Sequence, residues 1–202
     1  MNKRTFLVGV AAFAVVALAI LLTALFSRPA NFRGTLYGEP FPLAPEISLT
    51  DASGNPFRLN DNRGKITLVF FGYTFCPDVC PTTLAELKLA VDQLNVADAS
   101  RVQVVFISVD PERDTIEGVQ KYVERFNPDF IGLSGTQAEL EPIWSGFGVY
   151  REIVDGTSAT NYIINHTARV TLIDQNGNMR LTYGFQTPPA DIAHDIELLL
   201  SQ

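Results

Sequence analysis

The chain is predicted to fold as an α/β domain, a mixed central sheet flanked by helices, behind one N-terminal transmembrane helix. Three observations predict this. Phe6 to Phe26 is 21 residues without a charge, and as a helix it would cross the roughly 30 Å apolar core of a bilayer. From Ile66 onward, buried-type strands alternate with helical segments, which implies parallel pairing. A hairpin signal near the C-terminal end adds antiparallel strands to the same sheet.

Residues 1–5 are a short tail carrying Lys3 and Arg4, and residues 6–26 are the anchor. The apolar run is longer than the h-region of about 7–15 residues of a cleaved leader, and no small-x-small site follows it. A short basic tail favours a cytoplasmic N-terminus. Without the Arg- and Ser-rich pattern of an organelle leader, the chain reads as a single-pass protein of a bacterial inner membrane, its domain in the periplasm. Residues 27–45 contain Pro29, Pro40, Pro42 and Pro45 and read as a stiff linker.

The domain, residues 46–202, opens with a short hairpin, Ile47-Ser-Leu-Thr and Phe57-Arg-Leu. Ile66–Phe71 is a buried-type strand, and Thr83-Leu-Ala-Glu86 matches a capping box that would open the next helix. Val102–Val109 is a second strand; Asp114-Thr-Ile-Glu117 repeats the box, with Asp114 as the cap. After the brief strand Phe130–Leu133, Thr136-Gln-Ala-Glu139 opens a helix that Pro142 should kink or shorten. Glu152 to Asn161 reads as a loop. Ala168–Ile173 and Met179–Tyr183 flank Asp174-Gln-Asn-Gly177 as a hairpin, and Ala190 to Ser201 is the closing helix. This order is thioredoxin-like.

Lys3 and Arg4 are the only charges before residue 27, so the remainder carries 13 of the 15 Lys and Arg against all 22 Asp and Glu, a net charge of −9. So acidic a surface repels phosphate backbones, which excludes nucleic acid as a partner and favours a cation or a basic protein.

Cys76 and Cys80 are the only cysteines, in Phe71-Gly-Tyr-Thr-Phe-Cys76-Pro-Asp-Val-Cys80-Pro81. A disulfide closing so small a loop would restrict the unfolded chain by only about 2 kcal/mol. The pair is better placed to hold a soft metal, to cycle between dithiol and disulfide, or both. Proline after each cysteine disfavours helical backbone there, so a stiff turn is expected, with regular helix from Thr83. The helix N-terminus beyond it favours thiolate over thiol.

A thiol oxidoreductase usually has two residues between its cysteines, whereas this chain has three. Structural zinc wants four protein ligands. Of the two histidines, His194 falls on the polar side of the last helix, which leaves His166. Two thiolates and one imidazole suit trigonal Cu(I), and Cu(II) if a further ligand is supplied; a structural role for a lone histidine at a strand edge stays open. Asp110-Pro-Glu-Arg-Asp114 follows the second strand at the carboxyl end of the sheet, where ligands of open α/β sheets gather. Asp110, Glu112 and Arg113 are candidates for partner docking or for supporting the cysteine turn.

Together these residues resemble the Sco/SenC family of membrane-anchored copper proteins of cytochrome c oxidase assembly. The resemblance is carried by Gly64-Lys65, the cysteine block through Pro81-Thr-Thr-Leu, Phe106-Ile-Ser-Val-Asp110-Pro-Glu-Arg-Asp-Thr and His166-Thr-Ala. It implies a thioredoxin-like fold that binds one copper ion, Cu(I) or Cu(II), through Cys76, Cys80 and His166. It also implies delivery of copper to the copper-bearing oxidase subunit, or reduction of that subunit's cysteines. A copper donor or a thiol reductant protein would be a further partner. Phe75 stands where many members carry His, and Ile116 replaces a common Pro. The rival functions are a thiol–disulfide reductase, a copper-responsive sensing module acting through Asp110–Arg113, and a peroxiredoxin-like peroxidase.

Overall fold

The computed structural model describes residues 12–18, 31–155 and 162–202. The chain divides into two compact units, Met1–Asn31 and Phe32–Gln202. In the first, residues 12–18 are helical (α1); the remainder of the expected 6–26 anchor lies outside the described residues. No helix among the described residues is long and apolar enough to cross a membrane.

The second unit is built on a six-stranded sheet. Its strands are β1 (Thr35–Leu36), β4 (Ile66–Gly72), β5 (Val102–Ser108), β6 (Ile131–Leu133), β9 (Val170–Ile173) and β10 (Met179–Tyr183), in the order β1-β10-β9-β4-β5-β6. β4, β5 and β6 run parallel; β9, β10 and β1 are antiparallel to their neighbours. All seven residues of β4 are buried, which is why it reads as one unbroken apolar run and not an alternating one. β2 (Ser48–Thr50) and β3 (Pro56–Arg58) make the small hairpin expected near the start of the domain. The helices are α2 (Val79–Asp92), the short α3 (Val96–Ala99), α4 (Ile116–Val123), α5 (Gln137–Gly146) and α6 (Pro189–Leu200). α2 packs on α6, and α4 on β6.

The parallel register matters most for the site. Ile66 pairs with Val102 and Gly72 with Ser108, so β4 and β5 end at the same level. The Val109 amide then donates to the Gly72 carbonyl at 2.8 Å, and the two chains leave the sheet side by side.

Four expectations are corrected. α2 begins at Val79, not Thr83. Pro81 is its third residue, where a missing N–H costs no intrahelical bond, and buried Thr83 caps nothing. The cap of α4 is Thr115, whose hydroxyl accepts from the Gly118 amide at 3.0 Å; Asp114 is buried and otherwise engaged. Glu152 to Asp155 are not loop: β7 (Arg151–Asp155) pairs antiparallel with β8 (Tyr162–His166), a separate two-stranded sheet. Finally, the stretch read as a 27–45 linker belongs to the folded unit from Phe32 onward. β1 pairs with β10, and the Arg33 and Gly34 amides donate to the buried Asp195 carboxylate at 3.0 and 2.8 Å. The Thr136–Glu139 capping box is complete, and α5 runs through Pro142.

Gly132 of β6 faces α4 closely: a Cβ there would lie 2.8 Å from the Val119 carbonyl oxygen and 2.9 Å from Gln120 Cα. Because these are backbone atoms, they cannot rotate away. Gly132→Ala should destabilise the domain by about 1–3 kcal/mol, seen as a lower urea midpoint with an unchanged slope. A wild-type midpoint would mean that α4 has room to give.

Candidate metal centre

The cysteine turn begins where β4 stops. The Cys76 amide donates to the Tyr73 carbonyl at 3.2 Å, and the Thr74 amide and hydroxyl both donate to the Asp114 carboxylate, the hydroxyl at 2.5 Å. Asp114 also accepts from the Ser108 hydroxyl at 2.6 Å. The loop after β5 therefore grips the loop after β4. Burial raises the Asp114 carboxyl pKa, while the hydrogen bonds from Ser108 and Thr74 oppose that rise. Gly72 lets the turn fold back closely, because a Cβ there would sit 2.8 Å from Cys80 Sγ and 2.7 Å from the Phe106 ring.

Cys80 lies in the first turn of α2 and is 0 % exposed, whereas Cys76 is half-buried; both are free thiols. The Cys80 amide donates to Cys76 Sγ at 3.4 Å. His166 ends β8, and its Nε2 lies 3.7 Å from Cys80 Sγ. The two sulfurs and Nε2 all fall within 4.8 Å of one another. An ion about 2.2 Å from each of three ligands in a plane would space those ligands about 3.8 Å apart. The donor set fits one soft ion with little adjustment.

The imidazole tautomer follows from its other nitrogen. Nδ1 lies 3.1 Å from the Thr167 carbonyl oxygen, which can only accept, so Nδ1 carries the proton and Nε2 presents its lone pair to the sulfurs. The Tyr73 ring meets the imidazole edge-to-face at 5.8 Å, and the Ile164 amide donates to the Tyr73 hydroxyl at 3.3 Å.

The sulfurs are electrostatically unequal. The Cys80 thiol donates to Cys76, and with the Asp78 and Cys80 amides it lowers the Cys76 pKa to about 4, against the opposing effect of burial. The same hydrogen bond, then burial, pushes the Cys80 thiol upward. In the metal-free dithiol the half-buried Cys76 is thus the more acidic thiol, and the proton is favoured on buried Cys80. A recess of about 230 Å³ opens beside Cys76, lined by Tyr73, Pro77, Val79, Ile164 and His166.

The other candidates divide. Asp110 is 0 % exposed and ion-paired with Arg113, whose guanidinium lies over the Tyr162 ring. Glu112 is exposed at the rim. Phe75, 52 % exposed, lies 4.9 Å from the Arg113 guanidinium carbon. His194 is on α6, outside the cluster. Tyr162 and Asp114 join the site through contacts distant in sequence, and Tyr73 through its place three residues before Cys76.

A thioredoxin-like sheet presenting two thiols and an imidazole at one point defines a metal-binding domain of the thioredoxin class. Residues 37–201 match the SCO1/SenC family model, and the chain belongs to that family. It is 31% identical over 166 residues to an SCO2-like protein of Rickettsia felis, covering 82% of this chain and 80% of that one. Among solved structures, ScoI of Bradyrhizobium japonicum with copper bound is 36% identical, with a TM-score of 0.70, over 78% of this chain and 99% of that one. Apo Sco1 of Thermus thermophilus is also 36% identical, with a TM-score of 0.70, over 86% and 96%.

Thiolate, not thiol, reacts with alkylating agents. In the reduced, metal-free protein, alkylation of Cys76 by iodoacetamide should change little in rate between about pH 6 and 8, where an ordinary thiol gains about tenfold per unit. Cys80 should react only on unfolding. A Cys76 rate that climbs like that of a free thiol would show that it is not held as thiolate.

Proposed function

We propose that this chain carries one copper ion on Cys76, Cys80 and His166 and delivers it to the copper-bearing subunit of a cytochrome c oxidase. The convergence of the two Sγ atoms and Nε2 within 4.8 Å carries this reading. Family membership and the copper-bound relative support it. Two thiolates and a neutral imidazole match Cu(I) in trigonal geometry; Cu(II) would need a further ligand. The unequal exposure suits transfer. Cys80 is sealed below, while Cys76 and His166 face outward, so incoming ligands can displace the imidazole and then Cys76 before Cys80 lets go. Glu112, exposed beside this edge, is positioned to meet a recipient.

Copper titration of the reduced protein tests the ligand set. Cys76→Ser or Cys80→Ser should abolish tight binding of either oxidation state. His166→Ala should weaken Cu(II) binding by at least about tenfold and alter its thiolate-to-copper absorption. Unchanged affinity and spectra in His166→Ala would remove the histidine from the site.

A second reading rests on the unequal thiols. Cys76 as thiolate could attack a partner's disulfide, and Cys80, deprotonated as the mixed disulfide forms, would displace the partner's reduced thiol and leave Cys76–Cys80 oxidised. The carrier reading requires His166 and the reductase reading does not. Maturation of an apo-oxidase should therefore fail with His166→Ala if copper is delivered, and survive if only cysteines are reduced.

We further infer that residues 6–26 hold the domain at the periplasmic face of a bacterial inner membrane, because 21 uncharged residues are long enough to span it. The full chain should resist alkaline carbonate extraction, and a chain beginning at residue 27 should be released. Release of the full chain would exclude a spanning anchor.

A further inference from the structure

The geometry points to Arg113 as the positioning residue for His166: pinned by Asp110 and stacked on Tyr162, its guanidinium holds the β7–β8 hairpin where the imidazole meets the sulfurs. This rests on the reading of Cys76, Cys80 and His166 as copper ligands.

Arg113 is only 16 % exposed, and its Nε donates to Asp110 Oδ2 at 2.5 Å. Its guanidinium carbon lies 3.5 Å from the centre of the Tyr162 ring, and Nη1 donates to the Tyr162 carbonyl at 3.0 Å. The Tyr162 hydroxyl donates to Asp110 Oδ1 at 2.7 Å. Tyr162 is therefore gripped by its ring, its backbone and its hydroxyl, through two residues of the loop that follows β5. Residues 162, 164 and 166 of a strand share one face. Fixing Tyr162 thus fixes the face that presents His166, four residues along the same strand.

Among the described residues, other attachments of the hairpin lie nearer His166. The Tyr150 amide donates to the Thr167 hydroxyl at 2.9 Å, the Thr167 amide to the Tyr150 carbonyl at 3.1 Å, and Arg151 Nε to the Val109 carbonyl at 2.5 Å. These tether the base of the hairpin at the level of His166, which pairs with Arg151, and the Ile164 amide adds a bond to the Tyr73 hydroxyl at 3.3 Å midway to Tyr162. Without Arg113 the base stays attached, while of its three grips Tyr162 keeps only the hydroxyl bond to Asp110, so that end of β8 is held more weakly and the approach of the imidazole is less fixed. A lysine could supply the charge, but not the planar fork that stacks on a ring and donates along two directions.

A double-mutant cycle in the full chain, purified in detergent and reduced, tests this with Cu(II) as the probe. Arg113→Gln should lower Cu(II) affinity about tenfold, the scale on which loss of a residue that orients a ligating histidine is felt, and weaken the nitrogen hyperfine coupling in the electron paramagnetic resonance spectrum. The same substitution in a His166→Ala background should cost nothing more. Tyr162→Leu leaves the Asp110–Arg113 pair in place and should reproduce the loss. In metal-free Arg113→Gln, amide exchange should quicken at residues 162–165 and stay unchanged in β4.

Unchanged affinity in Arg113→Gln, an equal loss in the His166→Ala background, wild-type binding by Arg113→Lys, or faster exchange throughout β4 would each overturn the positioning role. The two readings fail separately. If His166→Ala itself leaves copper binding unchanged, the ligand assignment falls; if it weakens binding and Arg113→Gln does not, only the role of Arg113 falls.

Discussion

In-register parallel pairing of β4 and β5 is the constraint on which the rest depends. With Gly72 opposite Ser108, the strands stop together and release two loops from adjacent points on one sheet edge. One carries the cysteines; the other carries Asp110, Arg113 and Asp114. Only because they start level can the Asp114 carboxylate accept from Thr74 on one side and Ser108 on the other. A shift of one residue would exchange the side chains on the two buried faces of β4 and pull these partners apart. The backbone thus sets the meeting point before any ligand atom is considered.

A division of labour follows from that placement. Cys80 belongs to a helix packed into the core, and it is buried against Gly72 and Phe106. Cys76 belongs to a turn stitched down by Asp114. His166 arrives on a two-stranded sheet outside the main one, joined through side-chain bonds and a few loop contacts. The sulfur half is bound to the most buried part of the domain. The nitrogen half is bound to its surface, so the two halves differ in how cheaply they can be displaced.

The sequence was legible where the signal was local. An unbroken apolar run marked β4 because a strand covered on both faces has no polar side to show, and Thr136 with Glu139 marked the start of α5. It misled where a local pattern competed with burial. Thr83 with Glu86 has the form of a cap, yet Pro81 fits the first turn of a helix and α2 starts earlier. Asp114 has the form of a cap too, but its carboxylate is taken by Thr74, 40 positions back in sequence, and adjacent Thr115 caps α4 instead. The 151–155 strand shows no clean alternation, because its residues are partly or fully exposed. Within the site, the cysteine pair announced itself. The part played by Tyr162 did not, since nothing near it in sequence foretells a guanidinium over its ring.

On the proposed carrier reading, an ion in transit sets two opposed demands, and three donors drawn from two structures would meet both. A fourth rigid ligand would complete a closed shell of the kind that structural sites use to keep their metal. Two thiolates alone would leave the ion open to whatever thiol comes first. A third donor on a separately mounted strand would let the site open by displacement of the hairpin without disturbing the dithiol. The energy that decides between these states would then reside in the hairpin's attachments as well as in the metal–nitrogen bond. On that reading the buried Asp110 and the residues around Tyr162 would influence an ion they never touch.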